Sequence, residues 1–100
     1  MKKRLGEYLR GLRQRKNLST RQLAAQAGCS ASFITRLESG ERGTSLHRLW
    51  ELVNALDGDF LYALAALCVD EGVPEEVAAS VAGKEWEATN KALETRIEET

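Results

Sequence analysis

The stretch from Leu18 to Gly40 admits few backbones, because it signals two helices and almost no chain between them. The apolar side of the first falls on Leu23, Ala24 and Ala27, and that of the second on Ile34 and Leu37, helical spacing in both. Gly28 ends the first helix, since a C-terminal cap wants a left-handed backbone that glycine adopts without a Cβ penalty. Ser30 then caps the second after one intervening residue. At the front, Ser19 and Gln22 form a capping box, while Leu18 and Leu23 are placed for a hydrophobic staple. Ala24 is small enough for the two helices to cross closely. Residues 20–39 therefore read as a tight helix-turn-helix, the unit that sets its second helix in the major groove of DNA.

The flanking chain is helical throughout. Leu5, Leu9 and Leu12, with Tyr8 beside them, predict a helix over about residues 3–16 that Asn17 ends. The loop Gly40-Glu41-Arg42-Gly43-Thr44 follows the second motif helix, its two glycines suiting a sharp turn or a close approach. A further helix over about residues 45–57 carries Leu46, Leu49, Trp50, Val53 and Leu56 on one side, with Trp50 read as a core filler. Asp57-Gly58-Asp59 breaks it, and Asp59 caps the next helix, Phe60 to Val69. That helix is apolar all round, so either the C-terminal segment or a second copy must cover it, with Cys68 an inert buried thiol. Pro74 suits the first turn of a new helical stretch from Glu75 to about Glu98, with a kink or break at Gly83. The expected fold is all-α, with a helix-turn-helix domain over residues 1–69 and a helical extension over 70–100 for dimerisation or partner binding.

Charge narrows the function. The net charge of −1 hides eleven Lys/Arg against three Asp/Glu in residues 1–48, and three against twelve in residues 49–100. A balance of +8 against −9 is either a polyanion-facing half and its opposite or two solvated surfaces, and the motif favours the first. The basic start Met1-Lys2-Lys3-Arg4 runs into an amphipathic segment, so no signal peptide is expected, and no apolar run reaches the length of a membrane span. Cys29 and Cys68 have neither metal-ligand spacing nor a disulfide framework, which fits a reducing cytoplasm. His47 is the one histidine and reads as a surface residue. No nucleophile–base signature, phosphate-binding glycine loop or paired carboxylates stand out, so no enzyme, cofactor or metal is expected.

Taken together, Leu5-Gly6-Glu7-Tyr8-Leu9-Arg10, Leu18-Ser19, Leu23-Ala24, Gly28-Cys29-Ser30, Phe33 through Gly40 and Ser45-Leu46 resemble the phage-repressor-like helix-turn-helix regulators, the Cro/C1-type or XRE family, over about residues 4–66. The resemblance implies a five-helix lambda-repressor-like DNA-binding domain that works as a homodimer. It also implies a salt bridge between Arg13 and Glu38 joining the first and third helices, and a phosphate contact at Thr20. The chain departs from the family at Thr44, where proline is common, and at Ser30-Ala31-Ser32, where relatives carry longer base-reading side chains.

Base contacts are expected from Arg36, one turn into the recognition helix and opposite Ile34 and Leu37, with Ser30, Ala31, Ser32 and Thr35 completing the face. Thr20, Arg21, Arg42 and Gly43 are the phosphate candidates, with Lys2, Lys3 and Arg4 weaker ones. Phe60, Leu61, Leu64, Leu67, Trp86, Leu93 and Ile97 form the expected dimer interface. The expected function is a DNA-binding regulator, a repressor on a palindromic operator. The alternative is an antitoxin-like or adaptor protein whose main partner is another protein, bound through the fifth helix and the C-terminal helix.

Overall fold

Local capping marks out most of the helices. The computed structural model describes residues 4–84, 86–89 and 91; Lys2, Lys3, Leu93 and Ile97, expected to take part in binding or dimerisation, lie outside them. The elements are α1 (Arg4–Arg15), α2 (Thr20–Ala27), α3 (Ala31–Ser39), α4 (Leu46–Ala55), α5 (Phe60–Asp70) and α6 (Glu75–Ala82), and residues 86–89 and 91 are again helical. Ser19 Oγ accepts from the Gln22 N–H at 3.0 Å while Gln22 Oε1 accepts from the Ser19 N–H at 2.7 Å, closing the capping box. Ser30, Ser45 and Asp59 cap α3, α4 and α5 through their side chains. Gly28 is left-handed, and α6 ends at Gly83, where the two apolar sets fall out of step.

Helix α1 is capped from a distance. The Asp70 carboxylate, at the end of α5, accepts from the backbone N–H groups of Arg4 and Leu5 at 3.1 and 3.0 Å. A negative charge at the positive end of a helix satisfies two orphan donors at once. The Arg4 guanidinium pairs with Glu75 and lies 5.2 Å from the Trp86 ring centroid, so the start of α1 is tied to the C-terminal segment.

The core runs through every helix: Leu5, Tyr8, Leu9 and Leu12 of α1, Leu23 of α2, Ile34 and Leu37 of α3, Leu49, Leu52 and Val53 of α4, Tyr62 of α5 and Ala78 of α6. Three expectations differ from the structure. Trp50 is 49% exposed and Leu46 is 57% exposed, because the inward face of α4 is Leu49, Leu52, Val53 and, just past its end, Leu56. One residue on from Leu49 is about 100° of rotation, which carries Trp50 off that face; its ring packs edge-on against Phe60 at 5.2 Å. Trp86 is not available to a second copy. It is 3% exposed, stacked 5.0 Å from Tyr62, which lies 4.5 Å from Tyr8. The C-terminal segment thus covers much of α5, and Ala63, Ala66, Ala78 and Ala82 allow α5 and α6 to approach closely. Leu61 stays 53% exposed, while Phe60, Leu64 and Leu67 are half-buried. Cys68, expected to be buried, is half-buried, as is Cys29.

Two contacts are tight enough to test. A Cβ on Gly6 would sit 2.2 Å from the Glu38 carbonyl oxygen and 2.8 Å from that of Leu37, both backbone atoms that cannot swing aside. Gly6→Ala should therefore push α1 off α3 and destabilise the fold by about 1–3 kcal/mol, read by chemical denaturation. An unchanged midpoint would mean that the helices do not cross this closely. Burial pushes the Tyr62 phenol up to about 12. The buried form is neutral, so its contribution is intact below pH ~10 and is lost as pH rises from there through ~12. Alkaline titration of tyrosinate absorbance should place this step near the unfolding transition, and a Tyr62→Phe chain should lose it.

Candidate nucleic-acid interface

The two motif helices meet through Leu23, Ala24 and Ala27 on one side and Ile34 and Leu37 on the other, all buried. That contact spends one face of α3 and leaves the other outside. Ser30, Ser32, Thr35 and Arg36 are exposed along it. Ala31 is the exception among the expected base contacts: it is half-buried and packs against the core beside Phe33. The Ser30 hydroxyl is committed to the α3 cap, accepting from the Phe33 N–H at 3.0 Å, and the Thr35 hydroxyl donates to the Ala31 carbonyl at 3.1 Å. Arg36 has the longest side chain of the exposed set and is the one cation in it.

After α3 the chain turns at Gly40, whose φ of 81° is left-handed. The turn brings Glu41 and Arg42 back beside α3. Arg36 Nε lies 3.6 Å from Glu41 Oε2, and the Arg42 guanidinium carbon sits 4.5 Å over the Phe33 ring. Such a cation–π contact holds the guanidinium plane; Nε donates to the Gly43 carbonyl at 3.4 Å, and the two terminal nitrogens remain able to donate. A Cβ on Gly43 would touch nothing within 4 Å, so the surface there is open rather than packed. Thr44, standing where proline is common in the resembling family, buries a hydroxyl with no hydrogen-bond partner among the described residues. Thr20 is the first residue of α2, half-buried, and Arg21 beside it is exposed.

What fixes α3 is a pair behind it. Arg13 of α1 donates to Glu38 through Nε at 2.7 Å and Nη2 at 2.9 Å, and its remaining arm donates to the Leu18 carbonyl at 2.9 Å. The side chains are 13% and 9% exposed. The hydrogen bonds to Glu38 raise the Arg13 pKa above its ordinary value. One guanidinium thus joins α1, α3 and the segment leading into α2. Arg48 of α4 was not singled out in the sequence; it donates to the Ala27 carbonyl and closes the end of α2 from the first turn of a later helix. His47 is exposed, 3.7 Å from Glu51, and among the described residues no group of His, Cys, Asp and Glu is arranged to hold a metal. No helix among them is long and apolar enough to cross a membrane.

Because the Arg13–Glu38 pair is largely desolvated, Arg13→Ala should cost about 3–5 kcal/mol by stranding the carboxylate. Replacing both partners, Arg13→Met with Glu38→Leu, should recover most of that loss. Thermal unfolding of the three chains checks this, and a double substitution no more stable than the single one would refute it.

Comparison with known proteins agrees with this geometry. The family described as a helix-turn-helix domain matches residues 4–59. The HTH-type transcriptional repressor RghR of Bacillus subtilis (strain 168) is 50% identical over 38 residues, which is 38% of this chain and 28% of that protein. The chain therefore matches under a third of that repressor's length. No solved structure matches the chain.

Proposed function

The chain belongs to the helix-turn-helix domain family as an XRE-like regulator, and from that premise we propose that it is a sequence-specific double-stranded DNA-binding repressor acting as a homodimer on a palindromic operator. The observation that carries the reading is the outward face of α3, where Arg36 stands among Ser30, Ser32 and Thr35 with Arg42 alongside. In this reading α3 lies in the major groove and Arg36 hydrogen-bonds a guanine edge. The short neighbouring side chains let the helix sit deep. Thr20, Arg21, Arg42 and the open backbone at Gly43 meet phosphates. Few side chains read bases, so DNA shape supplies part of the specificity. The +8 balance of residues 1–48 supports salt-dependent attraction to the duplex. In this reading the protein works in the cytoplasm, where its DNA target lies, and binds rather than catalyses, in keeping with a helix-turn-helix domain.

The homodimer is supported by exposed apolar side chains at one edge. Leu46 and Trp50 lie one turn apart on α4, and Trp50 packs on Phe60, next to exposed Leu61. This patch takes the place of Trp86, which the chain's own core uses. A second reading rests on α6, where Val77 and Val81 are 51% and 38% exposed one turn apart. That stripe suits a protein partner, as in an antitoxin or adaptor.

Selection from a random duplex library at about 150 mM salt, where phosphate contacts alone bind weakly, should enrich a palindrome with half-sites about one helical turn apart. Arg36→Ala should weaken operator binding by about 1–3 kcal/mol and relax the preference at one base pair per half-site. Folded protein that enriches no sequence would refute the repressor and leave the α6 partner as the function to pursue.

A further inference from the structure

Glu41 is an acidic side chain on the very surface that the proposed function turns toward a polyanion. The backbone sets it there. The Gly40 N–H donates to the Leu37 carbonyl at 3.2 Å and the Glu41 N–H to the Arg36 carbonyl at 2.9 Å. These are the paired bonds of a Schellman turn, in which the residue after the glycine is brought against the residue one turn back in the helix. That contact is commonly apolar. In this chain it is an ion pair, Arg36 Nε to Glu41 Oε2 at 3.6 Å.

The side of the guanidinium that is used matters. Its N–H groups form a rigid planar fork. A carboxylate on the Nε side leaves the outer edge, formed by the two terminal nitrogens, turned away from the turn. That edge can donate both hydrogen bonds to guanine O6 and N7. Resting on the DNA-binding reading above, we propose that Glu41 is a positioning residue for base readout. It holds Arg36 with its outer edge free, and its charge opposes the phosphates of any duplex in which Arg36 finds no guanine. Both effects separate the operator from random DNA. Arg42 balances the same turn from the other side, stacked on Phe33, so the loop keeps a cation for phosphate next to the acid that discriminates.

The test compares the 100-residue chain with Glu41→Ala, Glu41→Gln, Arg36→Ala and the Arg36→Ala/Glu41→Ala pair. Each is titrated against the selected operator, against that operator altered at the base pair Arg36 reads, and against random duplex. The Arg36–Glu41 pair is exposed, so melting temperatures should stay unchanged. Glu41→Ala should bind random duplex about two- to fivefold more tightly, the size of an exposed charge interaction. It should lose a similar factor of discrimination at the Arg36 base pair and at no other. Glu41→Gln keeps the size and polarity of the side chain beside Nε without its charge, and should retain more of that discrimination while gaining the same affinity for random DNA. With Arg36 already alanine, removing Glu41 should change no base preference. If Glu41→Ala instead shifts operator and random duplex equally with every preference intact, the positioning role is overturned. A fall in all DNA binding with a lowered melting temperature would overturn it too, in favour of a folding role. Wild-type protein that selects no sequence would fail the DNA-binding reading itself, and this inference with it.

Discussion

The Arg13–Glu38 pair and the glycine contact next to it fix one relationship, the angle and distance of α1 against α3. Gly6 brings the α1 backbone to the carbonyls of Leu37 and Glu38. At that closeness the side chains behind cannot slide, and the bidentate pair then sets the rotation of α3 about its own axis. Rotation is the quantity that matters for a helix read from one side. A turn of about 100° about that axis would exchange neighbouring residues on the outer face. A buried ion pair is a poor source of net stability compared with well-packed apolar groups. Here its geometric fixity is what the exposed face of α3 depends on.

The features legible in the sequence were the short-range ones. Ser19, Ser30, Asp59, Gly28 and Gly83 act within a few residues of themselves, through caps and left-handed turns whose chemistry is local. The exposed line of Ser32, Thr35 and Arg36 followed from helical period once Ile34 and Leu37 were assigned inward. Failures came where tertiary partners decide. Trp50 is large and apolar, but its neighbour Leu52 takes the inward place that period alone leaves ambiguous. Trp86 reads as a dimer contact in the sequence because nothing local announces that Tyr8 and Tyr62 stack toward it. The two caps supplied by distant side chains, Asp70 on α1 and Arg48 on α2, were invisible for the same reason. Ala31 shows the limit in miniature: its register puts it near the outer face, but its first-turn position brings it against the core.

The opposite charges of the two halves also acquire a structural meaning. The acidic half is not simply turned away from the basic one. Asp70 and Glu75 meet Arg4 and the start of α1, and Asp57 meets Lys16 near its end, so α1 is held at both ends by acids from the second half. The cations of α3 and the following loop have fewer such neighbours within the described residues, with Glu41 the acid closest to Arg36.

The capping of α1 by Asp70 has a consequence for how the chain is made. The donor groups at Arg4 and Leu5 lie 66 and 65 residues from the carboxylate that satisfies them. On a ribosome, α1 emerges ahead of α2 and α3, which carry their own local caps, but α1 lacks its closing partner until the end of α5 is free of the exit tunnel. The docking of α1 therefore depends on a residue at the end of α5, and a chain interrupted during synthesis before Asp70 emerges lacks the cap that closes its first described helix.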